Sequence, residues 1–127
     1  MRNIGLVTPY VGQVNDILIK YIEAAGDFHV TNLLTFNLIR DSEVASVTVE
    51  SIKTAAITVG TLPRVEVVFI SCTSLRTTEV PAAVEKIIKK PVTSSNLAMA
   101  WHCARMLGCD GDLSQKYGRL FGKLVEG

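Results

Sequence analysis

The residues best suited to chemistry sit where an apolar run stops. Residues 65–70 read VEVVFI, and Ser71, Cys72, Thr73 and Ser74 follow at once. A thiol at the C-terminal tip of a strand, close to a helix N-terminus, meets oriented N–H groups and a helix dipole that favour the thiolate. The same groups receive a carboxylate or a phosphate. Two readings of Cys72 stand side by side: a reactive thiol, or a small buried apolar residue, as free cysteines often are. Three more stretches offer polar atoms at equivalent places: Thr8-Pro9-Tyr10, Asp41-Ser42 and Ser94-Ser95-Asn96. Tyr10 can anchor a carboxylate through its phenol or pack its ring at a strand end. Ser94, Ser95 and Asn96 can meet a ligand or cap a helix. His102 reads as a surface or half-buried histidine, Trp101 as core or interface, Arg76 as a solvated helix-start arginine, and Asp41 with Glu43 as a loop rather than an acid/base pair.

The elements that must position these groups follow from periodicity. Residues 3–7 read as a first strand. Val14, Ile17, Leu18, Tyr21, Ile22 and Ala25 then keep helical spacing, and Gly26 stands where a C-cap glycine belongs. Residues 28–38 read as a second strand and residues 37–46 as a polar loop. Val49, Ile52, Ala56 and Val59 mark a second helix ending at Gly60. The run at 65–70 is a third strand, buried on both faces. A third helix spans about residues 77–89, with Pro81 in its first turn. Residues 91–93 are a short fourth strand. Ser94-Ser95-Asn96 caps a helix that runs to Leu107 and stops at Gly108. Asp112-Leu113-Ser114-Gln115 resembles a capping box opening a last helix, lined by Leu113, Tyr117, Leu120, Phe121 and Leu124.

Strand and helix alternate throughout, which predicts an α/β fold with a four-stranded parallel sheet and helices on both faces. Ligands of such sheets bind outside the strands' C-terminal ends. That edge collects hydroxyls, an amide, a phenol and one thiol, a set suited to a small carboxylate. No glycine-rich phosphate loop is present, which disfavours a nucleotide.

The 127 residues make a single domain, with a core at about residues 1–108 and a C-terminal helix at 109–127. The net charge of +1 shows no basic stripe, so no nucleic-acid partner is expected. No run approaches a membrane span, and residues 1–10 lack the long apolar stretch of a signal peptide. An odd count of three cysteines fits the reducing cytoplasm. Cys103 and Cys109 lack zinc-ribbon spacing, and His102 and Cys103 point to different helix faces, so no metal site is expected.

Three motifs carry a resemblance. GLVTPY at residues 5–10 with VND at 14–16, VVFISCTSLRTTEV at 67–80, and KPVTSSNLAMAWHCARMLG at 90–108 resemble the maleate cis-trans isomerase and arylmalonate decarboxylase branch of the Asp/Glu racemase superfamily, nearest to the ectoine-utilisation protein A type. The resemblance implies a flavodoxin-like three-layer sandwich, one lobe of a two-lobe fold with the active site between the lobes. It implies no cofactor. It makes Cys72 the catalytic thiol of the C-terminal lobe, has Tyr10 contact a substrate carboxylate and sets Cys72 and Thr73 in the binding shell; the strand tips add Thr8, Ser71, Ser42, Ser95 and Asn96 as substrate-binding candidates. In family isomerases the other lobe's cysteine attacks the substrate double bond, and the cysteine matching Cys72 handles the proton or stabilises the adduct. In the decarboxylases the cysteine matching Cys72 alone protonates the intermediate. Two departures stand out: the first lobe is absent, and Asp41-Ser42 replaces the Asp-Asn pair of several relatives. The expectation is therefore a cofactor-free isomerase or racemase lobe for a small dicarboxylate or amino acid. It is completed by a homodimer or by a separate first lobe. The alternative is an orphan or truncated lobe that binds a carboxylate or dimerises without catalysis. Trp101, Tyr117 and Phe121 are the expected surface of the missing contact.

Overall fold

β-Branched and aromatic residues dominate four stretches, and in the computed structural model, which describes residues 2–122, each contains a strand. These are β1 (Asn3–Thr8), β2 (His29–Thr35), β3 (Val67–Ile70) and β4 (Val92–Ser94). They pair in the order β2-β1-β3-β4, all parallel. Ile4 therefore lies between Val30 and Val67, and Phe69 stands beside Thr93. Helices α1 (Gly12–Ala24), α3 (Val49–Gly60) and α4 (Val80–Ile88) make the crossovers, and α5 (Ser95–Met106) follows β4. Right-handed crossovers send α1 to one face and α3 with α4 to the other, because β2 and β3 lie on opposite sides of β1.

The core is the α3–α4 face. Val7, Val65, Val68, Ile70 and Val92 from the sheet side meet Ile52, Ala56 and Val59 of α3 and Val80, Val84 and Ile88 of α4. Each Val or Ile side chain among them, fully buried, stabilises the fold by roughly 1.5–3 kcal/mol. Contact is close enough that a methyl group on Gly5 of β1 would come within 2.3 Å of Val59 Cγ1. The opposite face is thinner. Leu6 is buried there, but Val67 and Phe69 are only half-buried. The expectation that β3 is covered on both faces thus holds fully for one face.

Helix α1 departs furthest from its sequence pattern. Its one buried residue is Asn15, whereas Ile17 and Tyr21 are 70% and 75% exposed. Leu18 and Ile22 are half-buried, whereas the Val14, Ile17 and Tyr21 edge of the apolar stripe faces outward, uncovered by the described residues. Gly26 is also not a left-handed cap: α1 closes on Ala25, whose N–H donates to Tyr21 O and Ile22 O.

Smaller corrections follow the same logic of local geometry. The expected polar loop after β2 contains a one-turn helix, α2 (Asp41–Ala45), anchored by buried Val44. Helix α4 starts at Val80 rather than Thr77, with Pro81 in its first turn as expected. Thr77 is instead buried, its hydroxyl 2.9 Å from Ser94 Oγ. The last helix is one turn, α6 (Ser114–Tyr117), because Gly118 takes φ +96° and breaks it before a 3-10 turn at Arg119–Phe121. Asp112 does receive Ser114 N–H and Oγ–H. Leu124 lies outside the described residues. Buried Glu85 ties this segment down by accepting the N–H groups of Val92 and Arg119. Trp101, Tyr117 and Phe121 are half-buried, with the Tyr117 and Phe121 rings 5.3 Å apart. The broad apolar exposure is found elsewhere, on α1 and on Met99, Met106 and Leu107 at α5.

Candidate active site

The C-terminal edge of the sheet brings three tips together: Tyr10 after β1, Ser71-Cys72-Thr73 after β3, and Ser94-Ser95-Asn96 after β4. Order in the sheet explains why. β1, β3 and β4 are consecutive neighbours, so their ends converge. The Tyr10 phenol lies 3.2 Å from Ser71 Oγ, a hydrogen bond across β1 and β3.

Cys72 is half-buried at the rim of the core and adopts φ +109°. A non-glycine residue in that region is strained by on the order of 1–3 kcal/mol and persists only where its surroundings hold it. Two residues hold it here. The Cys72 N–H donates to Ser95 Oγ at 3.2 Å. Asn96 Nδ2 donates to Thr73 O at 3.0 Å and to Leu75 O at 3.3 Å. Ser94 performs the cap, accepting from Leu97 N–H at 3.3 Å. With Ser94 as the cap, the next two side chains are left to pin the cysteine loop.

The phenol of Tyr10 is pushed above its ordinary value, first by burial and next by the charge of Cys72, while the Ser71 hydrogen bond pulls the other way. It is therefore a neutral O–H at physiological pH. A neutral phenol beside a thiol can donate to a carboxylate or to a thiolate, and it adds no negative charge of its own.

Not every expected site residue joins the cluster. Thr8 is fully buried, and its hydroxyl is taken up by Asn15 Oδ1 and Tyr10 N–H, so it supports Tyr10 rather than facing a ligand. Ser42 is exposed in α2 and lines a separate hollow with Glu43, Ser46 and Val47. Its place in the binding shell has no support in the described geometry. Arg76 donates to Val47 O instead of reaching toward Cys72. His102 is exposed on α5. Among the described residues no group of three or more His, Cys, Asp or Glu could hold a metal ion. No helix among them is long and apolar enough to cross a membrane. Asn15 is the participant the sequence reading passed over. Its signal was a polar residue at a position adjoining an apolar helical stripe.

The fold is matched by known proteins. A family model for arylmalonate decarboxylase covers residues 1–121. The chain belongs to the arylmalonate decarboxylase family. A solved arylmalonate decarboxylase superposes on this family member with TM-score 0.82 at 25% identity, covering 94% of this chain and 53% of that one. Maleate cis-trans isomerase of Nocardia farcinica gives TM-score 0.84 at 24% identity, with 95% of this chain and 48% of that one covered. Maleate isomerase of Pseudomonas putida S16, solved with maleate, gives 0.80 at 18% identity, with 95% and 48% covered. A cysteine-to-serine variant of the Nocardia enzyme carries a covalently bound succinylcysteine intermediate. No curated protein sequence matches. This family member spans about half the length of the solved relatives, the extent of a single lobe. Its α/β fold is that of the isomerase and decarboxylase enzymes of the racemase superfamily.

Proposed function

We propose that the chain is one lobe of a cofactor-independent isomerase or racemase that acts on a small dicarboxylate or amino acid through Cys72, in the manner of a maleate isomerase. The observation that carries the reading is the pairing of a strained, doubly pinned thiol with a neutral phenol. Tyr10 and Ser71 donate hydrogen bonds to a substrate carboxylate, and Thr73, Ser95 and Asn96 shape the same edge. The thiol of Cys72 gives its proton to the adjacent carbon as the C–H bond forms and the S–H bond breaks. The thiolate takes a proton in the reverse direction. Three free cysteines suit a reducing compartment, and we place the protein in the cytoplasm.

Two-sided chemistry on such a substrate needs a second thiol on its other face. Two copies related by a two-fold axis would supply a second Cys72. A separate first-lobe chain would supply another. The half-length of the chain relative to its solved relatives also favours a second reading, a lobe that binds the carboxylate without turnover. Alkylation by iodoacetamide at neutral pH separates the readings. Cys72 is expected to react faster than Cys103 and Cys109, and maleate is expected to protect it. Equal, slow labelling of all three, unchanged by maleate, would overturn the catalytic reading.

A further inference from the structure

The VND stretch of the first sequence motif contains a residue that the proposed chemistry does not use. Asn15 is 1% exposed and is the single buried residue of α1. A buried amide costs stability unless both of its ends are satisfied. Here both are, and both lead to Tyr10. The Tyr10 N–H donates to Thr8 Oγ1 at 3.3 Å, so that hydroxyl must spend its own proton elsewhere. It donates to Asn15 Oδ1 at 2.5 Å. The opposite end of the amide, Nδ2, then donates to Tyr10 O at 2.9 Å. Carbonyl oxygens only accept, so the network admits one orientation of the Asn15 amide. Thr35 Oγ1 donates to the same carbonyl. Side chains from β1, β2 and α1 thus hold both backbone polar groups of one residue.

The phenol of the residue held in this way reaches Ser71, beside Cys72. We propose that Asn15 is a positioning residue: with Thr8 and Thr35 it clamps the backbone of Tyr10 so that the phenol stays lodged against Ser71 and Cys72. The proposal rests on reading Tyr10 and Cys72 as one site. The polar groups facing the phenol are Ser71 and Cys72 on the loop after β3, and Cys72 is the titratable one among them.

The test is the phenol's own titration in the full chain, followed by NMR with tyrosine labelled at Cζ. Tyr10 is assigned by its loss in Tyr10→Phe, and Tyr21 and Tyr117 serve as internal references. In Asn15→Leu and in Thr35→Val the Tyr10 midpoint is expected to fall from its raised position toward the ordinary phenol value near 10.0, while the two references stay in place. A purely structural Asn15 would lower stability and leave the Tyr10 midpoint where it is in the wild type, and that result overturns the proposal. Asn15→Ala, which removes both hydrogen bonds without overpacking, decides the matter if Asn15→Leu does not fold. Loss of maleate protection at Cys72 is a separate measurement. A clamp that holds in an unprotected site would overturn the function and leave the positioning role standing.

Discussion

Cys72 pays a conformational cost for its position, and that cost is measurable. Replacement by alanine or by glycine removes the thiol and its packing in either case. Only glycine releases the strain of φ +109°, worth on the order of 1–3 kcal/mol, against roughly 0.5–1 kcal/mol for glycine's greater freedom in the unfolded chain. Cys72→Gly is therefore expected to be more stable than Cys72→Ala by about 1 kcal/mol in urea unfolding, the reverse of the usual order. Equal or inverted stabilities would mean the loop relaxes without cost. Tyr10 makes its contribution on the ligand side. Tyr10→Phe keeps the ring but loses a neutral donor to a charged acceptor, worth about 1.5–3 kcal/mol. The maleate concentration that half-protects Cys72 should rise roughly 10- to 100-fold, while the variant stays folded. An unchanged concentration would take the phenol out of the site.

At the scale of elements, the cysteine loop is held in place from β4 and α5. Asn96 supports two carbonyls at once. Asn96→Ala should cost about 0.5–1.5 kcal/mol, the net worth of a hydrogen bond whose acceptors water can reach, and should also speed Cys72 alkylation as the loop loosens. A stability loss without faster alkylation would confine Asn96 to packing. The strands and longer helices were legible in the sequence, because β-branched runs and helical spacing survive into the fold at β1, β3, α3 and α4. The convergence of Tyr10, Cys72 and Ser95 was legible too, since each follows a strand. What escaped was decided by partners distant in sequence. α2 is too short to show a period. Gly118 stops a helix whose apolar spacing runs through it. The stripe of Ile17 and Tyr21 reads as core but faces outward, while the neighbouring amide of Asn15 goes in. Periodicity identifies an amphipathic helix but does not say what will cover its apolar face.

For the whole molecule, that uncovered face has a consequence. Val14, Ile17 and Tyr21 lie on α1, directly after Tyr10, with Met106 and Leu107 exposed at the end of α5. Apolar surface of this kind drives association. Light scattering is expected to give a dimer for the proposed two-fold pairing, and Ile17→Lys is expected to shift it toward monomer. A wild-type monomer at micromolar concentration, with or without maleate, would leave a separate first lobe as the remaining way to complete the site.

The strand order also shapes the way the chain emerges from a ribosome. Of the four strands β1 is synthesised before the others yet ends in the middle of the sheet, with Ile4 paired to Val67 on one side. At about 5–20 residues per second, about 3–13 seconds separate the two halves of that pairing. During this interval Leu6 and Val7, which finish with no exposure at all, have β2 alone for company. The most deeply buried strand is thus also the one left waiting longest during biosynthesis, and contacts made by other chains or by chaperones in those seconds bear on how much of the protein reaches its native sheet.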